Sequence, residues 1–243
     1  MTERLSAHDA YLTTCDATVT AVSDDGVVLD RTVFYARGGG QPGDTGQLRW
    51  GDGAVARVID TTTSRETGEV VHALAEGEAP PPVGTRVVAE IDWDRRHRLM
   101  RTHTALHCLS GVIFTEHAAK VTGGNMDDTG SARMDFELDA MSQELGRQVE
   151  EALNARLAED RPLHVRFLPR AEALADPDLI RTKANLIPAS VDPIRVIDIE
   201  GIDKQADGGT HVRSTGEVGR VRVVKTESKG KANKRMRIQL EVT

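Results

Sequence analysis

Through residue 92 the chain reads as short runs of β-type composition, several of which alternate apolar and polar positions. These are DATVTAV (16–22), GVVLD (26–30), GQLRW (46–50), AVARVID (54–60), EVVHAL (69–74) and TRVVAEID (85–92). A period of two sends successive side chains to opposite faces of a strand, and Gly, Asp and Pro punctuate the gaps. Short strands at such regular spacing suggest a small barrel or sandwich. The expectation adopted here is a small β-barrel module over residues 1–91. The proline run APPPVGT (79–85) falls inside that module as a loop, because a good strand follows it.

The period changes at Trp93. From there to His117 it is helical, with Gly111 as the one weak point. AAKVTGG (118–124) and SARMDFEL (131–138) read as a strand pair around a Gly-Asn-Asp loop, and residues 141–160 read as a long amphipathic helix. PLHVRFLP (162–169) reads as a strand, followed by short helical pieces near 170–175 and 178–183. IRVIDIEG (194–201) reads as a strand, and VGRVRVVKTE with MRIQLEV forms a closing hairpin around a basic turn. The expected fold class is therefore α+β. An N-terminal β-barrel, 1–91, precedes an α+β domain, 92–243, in which helices pack on an antiparallel sheet.

Composition adds limits. No apolar run approaches the roughly 20 residues that span a bilayer, and the polar N-terminal stretch lacks the apolar segment of a signal peptide. Two cysteines, Cys15 and Cys108, do not make a disulfide framework. The expected location is cytoplasmic. The net charge of −7 argues against a general nucleic-acid coat, since affinity for phosphate comes from Lys and Arg. The segment KTESKGKANKRMR (225–237) qualifies this, being strongly basic within an acidic chain.

The candidate chemistry begins in RTHTALHCLSG (101–111), which places His103 and His107 four residues apart on one helical face. Two imidazoles so placed can share a metal ion. The spacer Thr104-Ala105-Leu106 lacks the glutamate that serves as base in HExxH metalloproteases. Cys108 points about 100° away around the helix and is a poor ligand for the same site. An isolated pair of this kind is also what two satisfied surface histidines look like. A hundred residues downstream, QADGGTHV (205–212) sets Asp207 and His211 around a Gly-Gly-Thr turn. A third histidine from that turn would complete the three-ligand, open-position pattern of catalytic zinc.

HxxxH followed far downstream by a motif of the form C-G-G-T-H resembles the editing domain of alanyl-tRNA synthetase and its free-standing relatives, the AlaX trans-editing proteins. FYARGGGQPGDTG (34–46) is similar to the family's glycine-rich motif, and SARMDF (131–136) to its strand before the long helix. The four motifs occur in the family's order across nearly the whole chain. The glycine-rich motif in an N-terminal β module points to the medium-length AlaX class. In one respect the chain departs from the pattern: Asp207 stands where the family has cysteine. A carboxylate also binds zinc, as a harder ligand than thiolate. Asp207 is then a fourth ligand, a group that orients water at the metal, or a cap on the turn.

The resemblance implies a zinc-dependent aminoacyl-tRNA deacylase, one Zn²⁺ per chain, that hydrolyses tRNA(Ala) mischarged with serine or glycine. A pocket that accepts alanine cannot strongly reject glycine or serine on binding alone, so a second hydrolytic site corrects the error. The expected metal ligands are His103, His107 and His211, with Asp207 as fourth member. Asp207 is also a candidate catalytic group. Gln41 of the glycine-rich stretch is placed with it by the resemblance, and Thr104 is a candidate partner for a serine hydroxyl. Asp44 and Thr45 read as structural. For contacts to tRNA phosphates the candidates are Lys225, Lys229, Lys231, Lys234 and Arg235. The competing readings are a non-catalytic tRNA-binding module with a bound metal, and a metal-dependent hydrolase of another aminoacyl ester. Monomer and homodimer both remain open.

Overall fold

A computed structural model describes residues 1–176, 179, 187–189 and 191–241; most of the helical piece expected at 178–183 lies outside the described residues. The chain divides into two compact units, Met1–Arg98 and Leu99–Thr243.

In the first unit β2 (Thr14–Ser23), β3 (Gly26–Leu29), β5 (Gly46–Trp50), β6 (Ala54–Thr63), β7 (Val70–Leu74) and β8 (Arg86–Ile91) close into a barrel in the order β2-β3-β7-β6-β5-β8. All its pairings are antiparallel. Closure follows from β8, which pairs with β2 on one side and β5 on the other. The alternation read from the sequence supplies the interior: Ala17, Val19, Leu29, Phe34, Leu48, Val58, Val87, Ala89 and Ile91 are buried together. Two elements escaped the sequence reading, β1 (Glu3–Arg4) and β4 (Arg31–Thr32), a parallel pair of two residues each. Such short segments carry no period to detect.

The helix α1 runs from Trp93 to His117, as expected. Its glycine has a packing reason. A Cβ on Gly111 would lie 2.4 Å from the carbonyl oxygen of Ile202, so only glycine lets that backbone approach the helix.

The second unit holds two antiparallel sheets. One has the order β14-β15-β10-β9, from β9 (Val121–Met126), β10 (Ser131–Phe136), β14 (Val221–Ser228) and β15 (Lys234–Leu240). The other has the order β11-β12-β13, from β11 (Leu163–Leu168), β12 (Ile194–Ile199) and β13 (Asp203–Ala206). Ala132, Met134, Phe136, Met236, Ile238 and Leu240 alternate inward on the four-stranded sheet. The helix α2 (Gln143–Ala158) is capped by Ser142, whose hydroxyl accepts from the Leu145 N–H at 3.0 Å. It buries Gly146, Val149, Leu153 and Leu157, a stripe at helical spacing. It also covers the sheet edge. Asn154 exchanges hydrogen bonds with Val221, and Glu150 accepts from the Val223 N–H. A short α3 (Arg170–Ala175) follows β11. No helix among the described residues is long and apolar enough to cross a membrane.

Candidate metal centre

His103 and His107 lie one turn apart on α1, and Asp207 and His211 follow directly on β13. One ligand atom from each of the four lies within 4.8 Å of the others. The ring centres of His103 and His211 are 4.4 Å apart, and those of His107 and His211 are 4.7 Å apart. All three imidazoles are buried, and the Asp207 side chain is 15% exposed.

The Nδ1 atoms of His107 and His211 each have a side-chain partner. His107 Nδ1 lies 2.9 Å from Asp203 Oδ2, which can only accept. Nδ1 therefore carries the proton, and Nε2 offers its lone pair to the cluster. His211 Nδ1 lies 3.1 Å from Thr104 Oγ1, a hydroxyl that accepts from the Val212 N–H at 3.3 Å and carries a donor of its own. His211 Nε2 then faces Asp207 Oδ2 at 3.1 Å. Asp207 Oδ2 accepts from the Gly209 N–H at 2.6 Å, and Oδ1 is 3.7 Å from His103 Nε2. Arg195 Nη1 donates to the Asp207 carbonyl at 3.0 Å and stands 3.9 Å from its carboxylate.

For His103, His211 and Asp207 the electrostatics favour the forms that bind a cation. Burial pushes the His103 imidazole down to about 4, against the pull of the Asp207 charge. Burial, with the neighbouring His103, also holds His211 well below its usual range. For His107 burial acts downward, but the hydrogen bond and charge of Asp203 outweigh it and raise its pKa. For Asp207 burial acts upward and is outweighed by His103 and by the His211 hydrogen bond, so its carboxyl titrates well below the ordinary value. Imidazole nitrogens beside an ionised carboxylate form a nitrogen-oxygen donor set suited to zinc. Three histidines, a carboxylate and the fixed tautomer of His107 fit such an ion.

Two family models match the chain. One, of class II (A) tRNA synthetases, covers residues 10–95; the other, the second additional domain of threonyl and alanyl tRNA synthetases, covers residues 194–237. The alanyl-tRNA editing protein AlaX-M of Methanosarcina barkeri is 38% identical over 241 residues, 97% of this chain and 98% of that protein. The chain belongs to the AlaX-M family of alanyl-tRNA editing proteins. The family's member from Saccharolobus solfataricus is 37% identical over 237 residues, 98% of its length. The alanine–tRNA ligase of Pyrobaculum aerophilum is 40% identical over 235 residues, which cover 93% of this chain and 25% of the ligase.

The family's glycine-rich stretch lies in the first unit, where Gly39 and Gly40 take positive φ in a tight turn. Gln41 closes that turn by exchanging backbone hydrogen bonds with Gly38, and is 1% exposed. Asp44 is held by Arg96 and accepts from the Tyr35 N–H at 2.6 Å. The carbonyl of Thr45 accepts from the Asp92 N–H at 2.8 Å.

The basic segment is the β14–β15 hairpin. Glu227 gathers Lys225 (3.2 Å), Lys229 (3.7 Å) and Arg237 (2.9 Å), and these partners hold its carboxyl at about 2. Arg235 pairs with Asp135 through two nitrogens, at 2.6 and 2.8 Å. Lys231 lies exposed in the turn. Lys234 is buried, with Nζ donating to the Gly230 carbonyl at 2.7 Å.

Sequence reasoning missed Asp203, Gln205, Ser110 and Arg195. Gln205 Nε2 reaches Asp203 Oδ2 at 2.7 Å and Ser110 Oγ at 3.2 Å, tying β13 to α1 behind His107. The available signal was the alternation Asp203-x-Gln205-x-Asp207, which sends three polar side chains to one face of a strand leading into the motif.

Proposed function

We propose that the chain is a zinc-dependent deacylase that hydrolyses the ester of tRNA(Ala) carrying serine or glycine. His103, His107 and His211 would hold one zinc ion, with Asp207 as the oxygen donor. The observation that carries this reading is the buried convergence of the four side chains on one point, reached from a helix and from the turn after β13. Zinc, when bound, supplies Lewis acidity at the ester and activates water for hydrolysis.

The chain's own residues do the rest. Asp203 fixes His107 in the tautomer that turns Nε2 inward, and Thr104 orients the His211 ring. Thr104 also stays a candidate partner for a serine hydroxyl. Arg195 and the Gly209 N–H hold Asp207 in place. Asp207 Oδ1, the oxygen turned toward His103, is the atom proposed to take and return a proton, since the helix supplies no HExxH glutamate. Gln41 stays a candidate catalytic residue on the strength of the glycine-rich motif. The names of the family's members support alanyl-tRNA as the system acted on.

The test compares three charged forms of tRNA(Ala). Release of serine or glycine with alanyl-tRNA(Ala) spared is the expected outcome. Equal hydrolysis of all three, or hydrolysis of free aminoacyl esters with no preference for tRNA, would overturn the substrate assignment.

A further inference from the structure

Strand register places an unusual set of charges on the outer face of the sheet β14-β15-β10-β9. Lys225 lies opposite Arg237, Arg237 opposite Arg133, and Arg133 opposite Asn125. Three cations therefore stand in one row across adjacent strands, at a spacing of about 4.8 Å per strand. The next row reads Glu227, Arg235, Asp135 and Gly123. A third row on the same face reads Arg222, Gln239 and Ser131.

Like charges directly opposite one another weaken a sheet. Lys225 and Arg237 are offset by Glu227, and Arg133 by Asp135, in the next row. The two acids that offset their repulsion are recessed: the Asp135 side chain is 11% exposed and that of Glu227 18%. The cations fan out above them, with Arg133 at 32%, Arg237 at 40%, Lys225 at 61% and Arg222 at 64%. Arg237 uses Nε on Glu227, and Arg133 uses Nη1 on Asp135. Each guanidinium has further N–H groups in a fixed fork, suited to a phosphate. The carboxylates thus order the long side chains before a ligand arrives, which lowers the entropic cost of binding. Amide and hydroxyl groups of Asn125, Gln239 and Ser131 flank the cations, as suits phosphate and ribose contacts. All this stands in a chain of net charge −7, where a local positive field confines a polyanion to one surface.

We propose that this sheet face, centred on the row Lys225-Arg237-Arg133, grips the phosphate backbone of the RNA substrate. The proposal rests on the tRNA-editing reading and moves the contact from the hairpin tip to the sheet. Lys234, turned inward onto Gly230, serves as a clamp of the turn.

The test is binding of a fluorescein-labelled tRNA(Ala) transcript, followed by anisotropy over a range of salt concentrations. It compares wild type with the triple variant Arg133→Gln, Lys225→Gln, Arg237→Gln. The slope of log affinity against log salt should flatten by about 2 to 3, since each phosphate contact contributes about 0.7–0.9. Affinity at low salt should fall by about 10-fold or more. A second triple variant, Arg31→Gln, Arg49→Gln, Arg86→Gln, removes arginines that line an open cleft of about 710 Å³ on the barrel. It should bind within about 2-fold of wild type. Should the first triple variant fail to fold, the single variants Lys225→Gln and Arg133→Gln each lower the slope by about 0.7–0.9. Unchanged affinity and slope in the sheet variants, or a loss confined to the barrel variant, would overturn the proposal. Wild type that binds tRNA in this way without deacylating it would overturn the editing reading and leave the surface assignment intact.

Discussion

Arg96 is the most demanding residue in the first unit. It is fully buried, and its partner Asp44 is 1% exposed. Nε lies 3.0 and 2.9 Å from the two Asp44 oxygens, Nη1 donates to the Ala10 carbonyl at 2.8 Å, and Nη2 donates to the Val33 carbonyl at 2.7 Å. Arg96→Met keeps part of the volume but leaves a buried carboxylate without its counter-charge. Breaking a buried pair from one side costs about 3–5 kcal/mol. Two carbonyls also lose their donor, at about 1–3 kcal/mol each when unsatisfied. The contributions overlap, so we expect a total loss of about 4–6 kcal/mol, a large part of the ~5–15 kcal/mol that holds a typical domain. Arg96→Lys retains the charge and loses the fork, and should fall between the variant and wild type. Equilibrium urea unfolding followed by circular dichroism reads both. A loss below about 1 kcal/mol in Arg96→Met, the scale of an exposed pair, would refute the reasoning.

Two further outcomes follow from buried groups. His72 is fully buried, its Nδ1–H donating to the Val27 carbonyl and its Nε2 facing Thr32, and burial lowers it to about 4 from 6.5. Between those values the unfolded chain binds the extra proton, so stability present above pH 6.5 is lost as pH falls toward 4, by about 3 kcal/mol. His72→Asn should flatten that part of the stability curve; an equal acid slope in both proteins would contradict it. Asp203→Asn removes the charge behind His107 while keeping an acceptor, and should weaken zinc affinity by about 10- to 100-fold in a chelator competition. Wild-type affinity in that variant would show Asp203 to be a packing group only.

Several barrel strands were legible because buried and exposed positions alternate, as in Arg86–Ile91, whereas β3 is buried throughout. Closure was not, because it depends on which edges β8 meets, and pairing leaves no mark on a single strand. His103 and His107 announced themselves through helical spacing, but convergence with His211 was legible only through resemblance to a family. Asp203 was hidden because the alternation Asp203-x-Gln205-x-Asp207 is too short to mark a strand by itself. The hairpin's charge was plain in KTESKGKANKRMR, but its orientation was not. The alternation from Leu240 back through Ile238 and Met236 puts Lys234 on the core face and Arg235 and Arg237 on the other. That pattern was present in the sequence and was masked by the density of basic residues.

The most direct measurement is zinc content and seryl-tRNA(Ala) deacylation on the same purified sample, before and after chelation, with His103→Ala alongside. The account predicts one zinc per chain, serine release that chelation abolishes and zinc restores, and loss of both zinc and activity in the variant. Full deacylation by a metal-free sample, or by His103→Ala, would contradict it.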